Sequence, residues 1–247
     1  MKHYWINVEK SENRRKYMEE QFTKTGLENE RVNAYTPQDL EAVINNYYEI
    51  PNKKKYGDDE LACVASHLKA IMEGLKSGDE YFAVLEDDTY LPFDIDYDSM
   101  ISSFPEDIDI AQLCVSNSGC CYQLYDFYNK SGQFYFRWNY IIPCTGFYIV
   151  TKKGAEKLMN MFYDSSISKY DFKKAECDLY SDVLIYQNTN TYCSAIPYSY
   201  TAIEMGSILH DYNLKELNDH TENIKKLLNH AIDSKRVPNI KGIRGVV

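Results

Sequence analysis

The sequence predicts an α/β domain: a mostly parallel mixed central sheet flanked by helices. Three observations carry this. Short apolar, aromatic and β-branched runs alternate along the chain with amphipathic helical stretches, the pattern of strand–helix–strand units. No internal repeat interrupts that alternation. The chain's 247 residues, 44% of them hydrophobic, are enough for one large domain that buries roughly 75% of its unfolded surface.

Taken in order, residues 4–8 read as a buried first strand. Ser11 and Asn13 are candidate caps for a helix reaching about residue 24, which Gly26 stops. Residues 31–34 form a second short strand. Residues 45–57 are turn-rich and read as an exposed excursion. Asp58 and Asp59 cap the clearest helix, where Leu61, Val64, Ala65, Leu68, Ile71, Met72 and Leu75 recur at i, i+3, i+4, i+7 and Gly78 closes the run. Residues 81–85 are a compact strand that ends in three acids, Glu86, Asp87 and Asp88. Residues 108–115, 134–138 and 147–150 read as further strands. A helix over 152–163 has Ala155, Leu158, Met159 and Phe162 on one face. Residues 178–186 read as a helix, 192–196 as a strand, and 221–232 as a helical apolar stripe. The domain is expected to span residues 1–233, with a basic, flexible tail over 234–247. Ligands of parallel sheets bind beyond the carboxyl ends of the strands, which singles out the acids at 86–88.

Composition excludes several classes of function. There are 27 Lys and Arg against 37 Asp and Glu, a net charge of -10 and a pI near 5.0. Nucleic-acid backbones need clustered cations, so they are not expected partners. The longest uncharged stretch, residues 183–203, contains the polar run Gln187-Asn188-Thr189-Asn190-Thr191 and then Pro197, so it is not a membrane span. The N-terminal apolar run meets Glu9 and Lys10 at once, unlike a secretion leader, so a cytoplasmic location is expected. The seven cysteines include no CxxC pair, which points to reduced structural thiols. The 23 tyrosines suit a carbohydrate or nucleotide cleft, and an AT-rich coding sequence would produce the same enrichment.

Few residues stand out for chemistry. Adjacent carboxylates repel one another unless a cation compensates, and Mn²⁺ or Mg²⁺ commonly takes one or two carboxylates plus substrate phosphates. Glu86-Asp87-Asp88 at a strand end therefore reads as a metal–diphosphate site, or else as a solvated acidic turn. His67 lies beside the apolar face of its helix and is either structural or functional. His210 could complete a metal shell begun by Asp88. Arg14 and Arg15, just past the first strand, could hold a phosphate or a uracil carbonyl, or pair with Glu19. Asp178 is a candidate general base or a helix cap. GxGxxG, P-loop, GxSxG and HExxH motifs are absent.

Five ordered segments together resemble glycosyltransferase family 25. Ile6-Asn7-Val8 with Arg14-Arg15 is similar to the family's opening strand and RR helix, and Arg31-Val32-Asn33-Ala34-Tyr35 to its RV.A segment. Glu60-Leu61-Ala62-Cys63-Val64-Ala65-Ser66-His67 resembles the GE.GC..SH helix, and Val84-Leu85-Glu86-Asp87-Asp88 resembles lEDD. Residues 146–155 resemble the later strand–helix, and Asp178 stands near the family's later Asp. Asp59 and Ala62 replace two of the family's usual glycines, and the likeness fades beyond Asp178.

The resemblance implies a GT-A fold and transfer of a hexose, commonly galactose and next glucose, from a UDP-sugar with inversion, often with Mn²⁺ and possibly with Mg²⁺ in its place. The acceptor it implies is a saccharide or hydroxylated protein. It places Asn7, Arg14, Ser66, His67, Glu86 and Asp87 around the nucleotide-sugar. Asp88 is its likelier direct metal ligand, with Glu86 at the other outer position; His210, read from the residues alone, is the further candidate for that shell. Asp178 is the candidate base and Glu204 the reserve. A non-catalytic nucleotide-sugar or glycan-binding module would keep the same fold. A nucleotidyltransferase would need a Gly-rich basic loop where Glu9-Lys10-Ser11-Glu12 stands.

Overall fold

The computed structural model describes residues 1–205 and 214–245, without the side chain of Leu214. Strands β1 (His3–Asn7), β2 (Asn29–Asn33), β3 (Tyr81–Glu86), β4 (Thr89–Tyr90), β5 (Phe93–Ile95), β6 (Ile110–Gln112) and β7 (Tyr135–Arg137) come first. They are followed by β8 (Phe147–Thr151), β9 (Tyr163–Asp164), β10 (Lys169–Tyr170), β11 (Thr191–Ser194), β12 (Tyr200–Thr201) and β13 (Ile240–Ile243). The helices are α1 (Glu12–Thr25), α2 (Leu40–Val43), α3 (Asp58–Ser77), α4 (Tyr97–Ser102), α5 (Ser118–Ser131), α6 (Lys152–Phe162), α7 (Ser181–Gln187) and α8 (Leu214–Asp233).

The expected α/β architecture, a mixed central sheet flanked by helices, is present. Seven strands form the central sheet in the order β2-β1-β3-β8-β6-β11-β7. β2, β1, β3, β6 and β11 run parallel, while β8 runs against β3 and β6, and β7 runs against β11. Alternate residues feed two cores, one on each face. Tyr4, Ile6, Phe82 and Val84 pack with the buried faces of α3, α6 and α7. Trp5, Ala83 and Leu85 pack with those of α1, α5 and α8. Burial on both faces is why these strands read as continuous apolar runs. All parallel strands end on one side, and that shared edge carries the acids after β3.

α6 meets the sheet closely because Gly154 has no side chain. A Cβ there would stand 2.6 Å from the Asp109 carbonyl oxygen, on the backbone leading into β6. Gly154→Ala should therefore lower thermal stability by about 1–3 kcal/mol, the usual cost of forcing atoms into a packed interior. An unchanged melting temperature would refute the tight helix–strand approach.

Several expectations need correction. The described part of the 234–247 tail is not loose: β13 pairs antiparallel with β5, and Arg244 is salt-bridged to Asp94. The backbone pairing with β5, and Ile240 packed against the core, give this basic segment a partner that net charge alone conceals. Residues 45–57 are not simply exposed, because Tyr47, Ile50 and Tyr56 are buried in the core beneath α3 while Tyr48 stays open. The strand expected over 108–115 is shorter, Ile110–Gln112. The helix expected from Asp178 begins at Ser181, with Tyr180 in the N-cap position. α5 was not anticipated; it starts where the Asn117 side chain accepts the Cys120 N–H and stops at Gly132 in the left-handed region.

Candidate active site

The carboxyl edge of the sheet opens into a cleft of about 860 Å³. The ends of β1 and β3, the segment after β2, the first turns of α3 and the loops before β8 and α7 all contribute to it. Its floor is built from α1 and β3. On α1, Arg14, Met18 and Phe22 recur every four residues and are buried together, so Arg14 is the polar end of a core-facing stripe. Its guanidinium meets the acids: Nη1 lies 2.6 Å from Asp87 Oδ1 and Nη2 3.0 Å from Asp88 Oδ2. Asp87 is committed on both oxygens, because Asn7 Nδ2 also donates to its Oδ2 at 2.7 Å. Asp87 therefore ties α1 to the strand ends.

Glu86 points to the other face of the sheet. The Thr145 hydroxyl donates to its Oε1 at 2.7 Å, and His67 Nε2 lies 3.3 Å from the same oxygen. His67 is fully buried on α3, with Nδ1 3.0 Å from the Tyr148 hydroxyl. Burial opposes an imidazolium there, but Tyr148, Cys63 and Glu86 outweigh it and hold His67 well above its ordinary value. Burial likewise opposes the Glu86 charge, and His67, Thr145 and Arg14 overcome it, so Glu86 stays ionised below the usual carboxylate range.

Asp88 has no such compensation. Burial and the neighbouring charge of Glu86 outweigh Arg14, and its carboxyl is pushed up to about 7. One guanidinium is thus shared by two carboxylates, and a buried negative surplus remains. Oxygen donors in this arrangement suit Mn²⁺ or Mg²⁺ when a diphosphate and water supply the other ligands. Among the described residues, no three His, Cys, Asp or Glu side chains converge as a self-sufficient cation cage. Glu86 and Asp88 both line the cleft, and a cation there would need further ligands from substrate and water.

Of the residues singled out in the sequence, Arg14, Ser66, His67, Glu86, Asp87 and Asp88 line the cleft. Asn7 does not; it is buried behind the acids, bracing Asp87 and accepting from Arg31 Nε at 3.0 Å. Ser66 faces inward. Its Oγ accepts the Tyr35 N–H at 2.8 Å and donates to the Ala62 carbonyl at 2.6 Å, pinning the segment after β2 to α3. Asp178 and Glu204 are not among the lining residues. Asp178 is paired with Lys55 Nζ at 2.5 Å and accepts from the Tyr56 hydroxyl, and the Lys55 ammonium holds it below the usual carboxylate range. Glu204 sits in the short 3₁₀ turn Ile203–Met205. His210 lies outside the described residues.

The cleft also holds residues that the sequence reading passed over. Asp182, in the first turn of α7, accepts the Cys144 N–H at 3.3 Å. Burial holds its carboxyl above the ordinary value, despite the backbone N–H groups around it. It stands four residues after Asp178, roughly one helical turn, so the shifted helix start accounts for the miss. Thr145 and Tyr140 come from a loop with no motif to mark it.

Residues 1–185 match the model of glycosyltransferase family 25, described as an LPS biosynthesis protein family. No curated protein sequence matches the chain significantly. Among solved structures, A197 from STIV is 13% identical, with a TM-score of 0.38 over 81% of this chain and 83% of that one. A glycosyltransferase involved in glycosylation of the major capsid of PBCV-1 is 13% identical, with a TM-score of 0.34 over 63% of this chain and 61% of that one. The inositol-1-phosphate CTP transferase from T. maritima is 12% identical, with a TM-score of 0.30 over 91% and 77%. No helix among the described residues is long and apolar enough to cross a membrane.

Proposed function

The chain belongs to glycosyltransferase family 25, and from that premise we propose that it moves a hexose, galactose before glucose, from a UDP-sugar to an acceptor hydroxyl on a saccharide or protein, with inversion. The observation that carries the donor side is the cluster of Glu86, Asp87 and Asp88 around the buried Arg14 on the floor of the cleft. At about 860 Å³, the cleft falls within the usual range for small-molecule sites.

Glu86 and Asp88 would hold a divalent cation, Mn²⁺ or Mg²⁺. When bound, it would neutralise charge developing on the departing diphosphate. The protein's own residues do the remaining work. Arg14, anchored on Asp87, presents a permanent positive charge toward the leaving group. The His67–Glu86–Thr145 chain keeps Glu86 ionised and fixed in direction. Inversion needs a base on the face opposite the leaving group. We assign that role to Asp182 in place of Asp178, because Asp182 lines the cleft and Asp178 is neutralised outside its lining.

A donor panel tests this reading. UDP-galactose, UDP-glucose, UDP-N-acetylglucosamine, UDP-glucuronate and GDP-mannose are incubated with and without Mn²⁺, and released nucleotide is measured. Slow, cation-dependent release from UDP-galactose, with UDP-glucose next, is the expected result. Silence on every donor, with no thermal shift from UDP plus Mn²⁺, would favour a binding module that keeps the fold.

A further inference from the structure

Tyr140 is 78% exposed, the most exposed of the large apolar side chains among the described residues, yet it lines the mouth of the cleft. Its neighbour Ile141 is 54% exposed. A surface tyrosine on a loose loop would need no explanation, but this loop is clamped from beneath. Gln112, completely buried at the end of β6, directs Nε2 at the carbonyls of Ile142, Pro143 and Cys144, at 3.4, 3.2 and 2.9 Å. The Trp138 indole N–H donates to the Ile142 carbonyl at 2.7 Å, and Ile142 itself is buried. The Tyr186 hydroxyl adds a bond to the Cys144 carbonyl at 3.1 Å.

The clamp also sustains strain. Cys144 has φ +108°, a backbone conformation that favours glycine. Such a conformation persists only where its surroundings over-determine it, and here the buried Gln112 and Tyr186 and the half-buried Trp138 do so. The clamp therefore holds the backbone just after Tyr140 in place and leaves its ring open at the cleft. The far end of the loop is bonded to Asp182 through the Cys144 N–H.

We propose that Tyr140 is the stacking platform for an acceptor saccharide, an inference that rests on the transferase reading above. An exposed aromatic face matches the apolar C–H face of a pyranose, and the carboxylates of Asp59, Glu60 and Asp182 around the same cleft can accept its hydroxyl protons. Because the clamped segment after Tyr140 is bonded to Asp182 through the Cys144 N–H, the ring and the base sit on two ends of one held segment. This arrangement favours a saccharide over a peptide acceptor, since the mouth is rich in groups that accept from hydroxyls.

Saturation-transfer NMR on the full chain with UDP and diamagnetic Mg²⁺ tests the proposal. The probes are methyl β-galactoside, methyl β-glucoside and methyl N-acetyl-β-glucosaminide, with a hydroxylysine peptide run in parallel. At least one glycoside should show contact with wild type, lose it about fivefold or more in Tyr140→Ala and keep it in Tyr140→Phe. The thermal shift from UDP should be equal in all three proteins, which separates loss of the platform from loss of the donor site. Glycoside contact that survives Tyr140→Ala overturns the proposal. So does the absence of contact from every glycoside, whether or not the peptide binds. Glycoside contact that depends on Tyr140 in a protein with no UDP response would support the platform and refute the transferase reading.

Discussion

Asp182→Asn should reduce hexose transfer about 10²-fold or more, the usual scale for losing a general base, while leaving UDP binding unchanged. The substitution is nearly isosteric, and the new amide oxygen can still accept the Cys144 N–H that Asp182 Oδ2 accepts at 3.3 Å, while the bond from the Val183 N–H to Oδ1 at 2.8 Å is given up. The tie to the loop is thereby kept and proton acceptance is lost. Burial raises the Asp182 carboxyl above its ordinary value, so transfer should climb with pH through a limb lying above the usual Asp range. That limb should vanish in the Asn variant. Asp178→Asn provides the contrast. Its carboxylate is half exposed and bound to Lys55, an ion pair of the kind that contributes little, so transfer should stay near the wild-type rate. Single-turnover assays at saturating donor would separate the two. A large loss in Asp178→Asn with none in Asp182→Asn would restore Asp178 as the base.

The contrast between these two aspartates shows what the sequence could and could not reveal. The acid-lined floor of the cleft was legible because it depends on short-range order: an apolar strand that runs straight into three acids, and a helix whose core-facing stripe ends in Arg14. The His67 motif was visible, but its role was not. That role lies in contacts to Glu86 and Tyr148, 19 and 81 positions away, which only the assembled sheet brings together. The opposite wall of the cleft was less legible. Tyr140 and Thr145 flank a loop whose carbonyls at 142–144 are held by Gln112 and Trp138, and no periodicity or cap marks such a loop. Asp182 stands in the first turn of α7, whose start the sequence placed three residues early. The same reasoning accounts for the tail, where pairing with the distant β5 and the packing of Ile240 mattered more than the surrounding basic charge.

Asp88 is the residue on which the donor reading depends most. In the ligand-free protein its carboxyl is pushed from 3.8 to about 7. The folded state therefore binds a proton more tightly than the unfolded chain does. The stability associated with that proton is present below 3.8 and is lost as pH rises through about 7. Asp88→Asn should accordingly melt higher than wild type at pH 8 without ligand, with the advantage shrinking on acidification. Loss of stability at a functional site is the usual form of the trade-off between stability and activity. The corresponding loss should appear in binding, because removing this carboxylate removes one of the two protein donors proposed for the cation.

The most direct test is a calorimetric titration of UDP into wild type and Asp88→Ala, each with and without Mn²⁺, with circular dichroism to check that the variant is folded. Wild type should bind UDP markedly more tightly with Mn²⁺ present, and Asp88→Ala should lose that enhancement while retaining its fold. Equal, Mn²⁺-enhanced binding by both proteins would contradict the assignment of the strand-end carboxylates to the donor diphosphate.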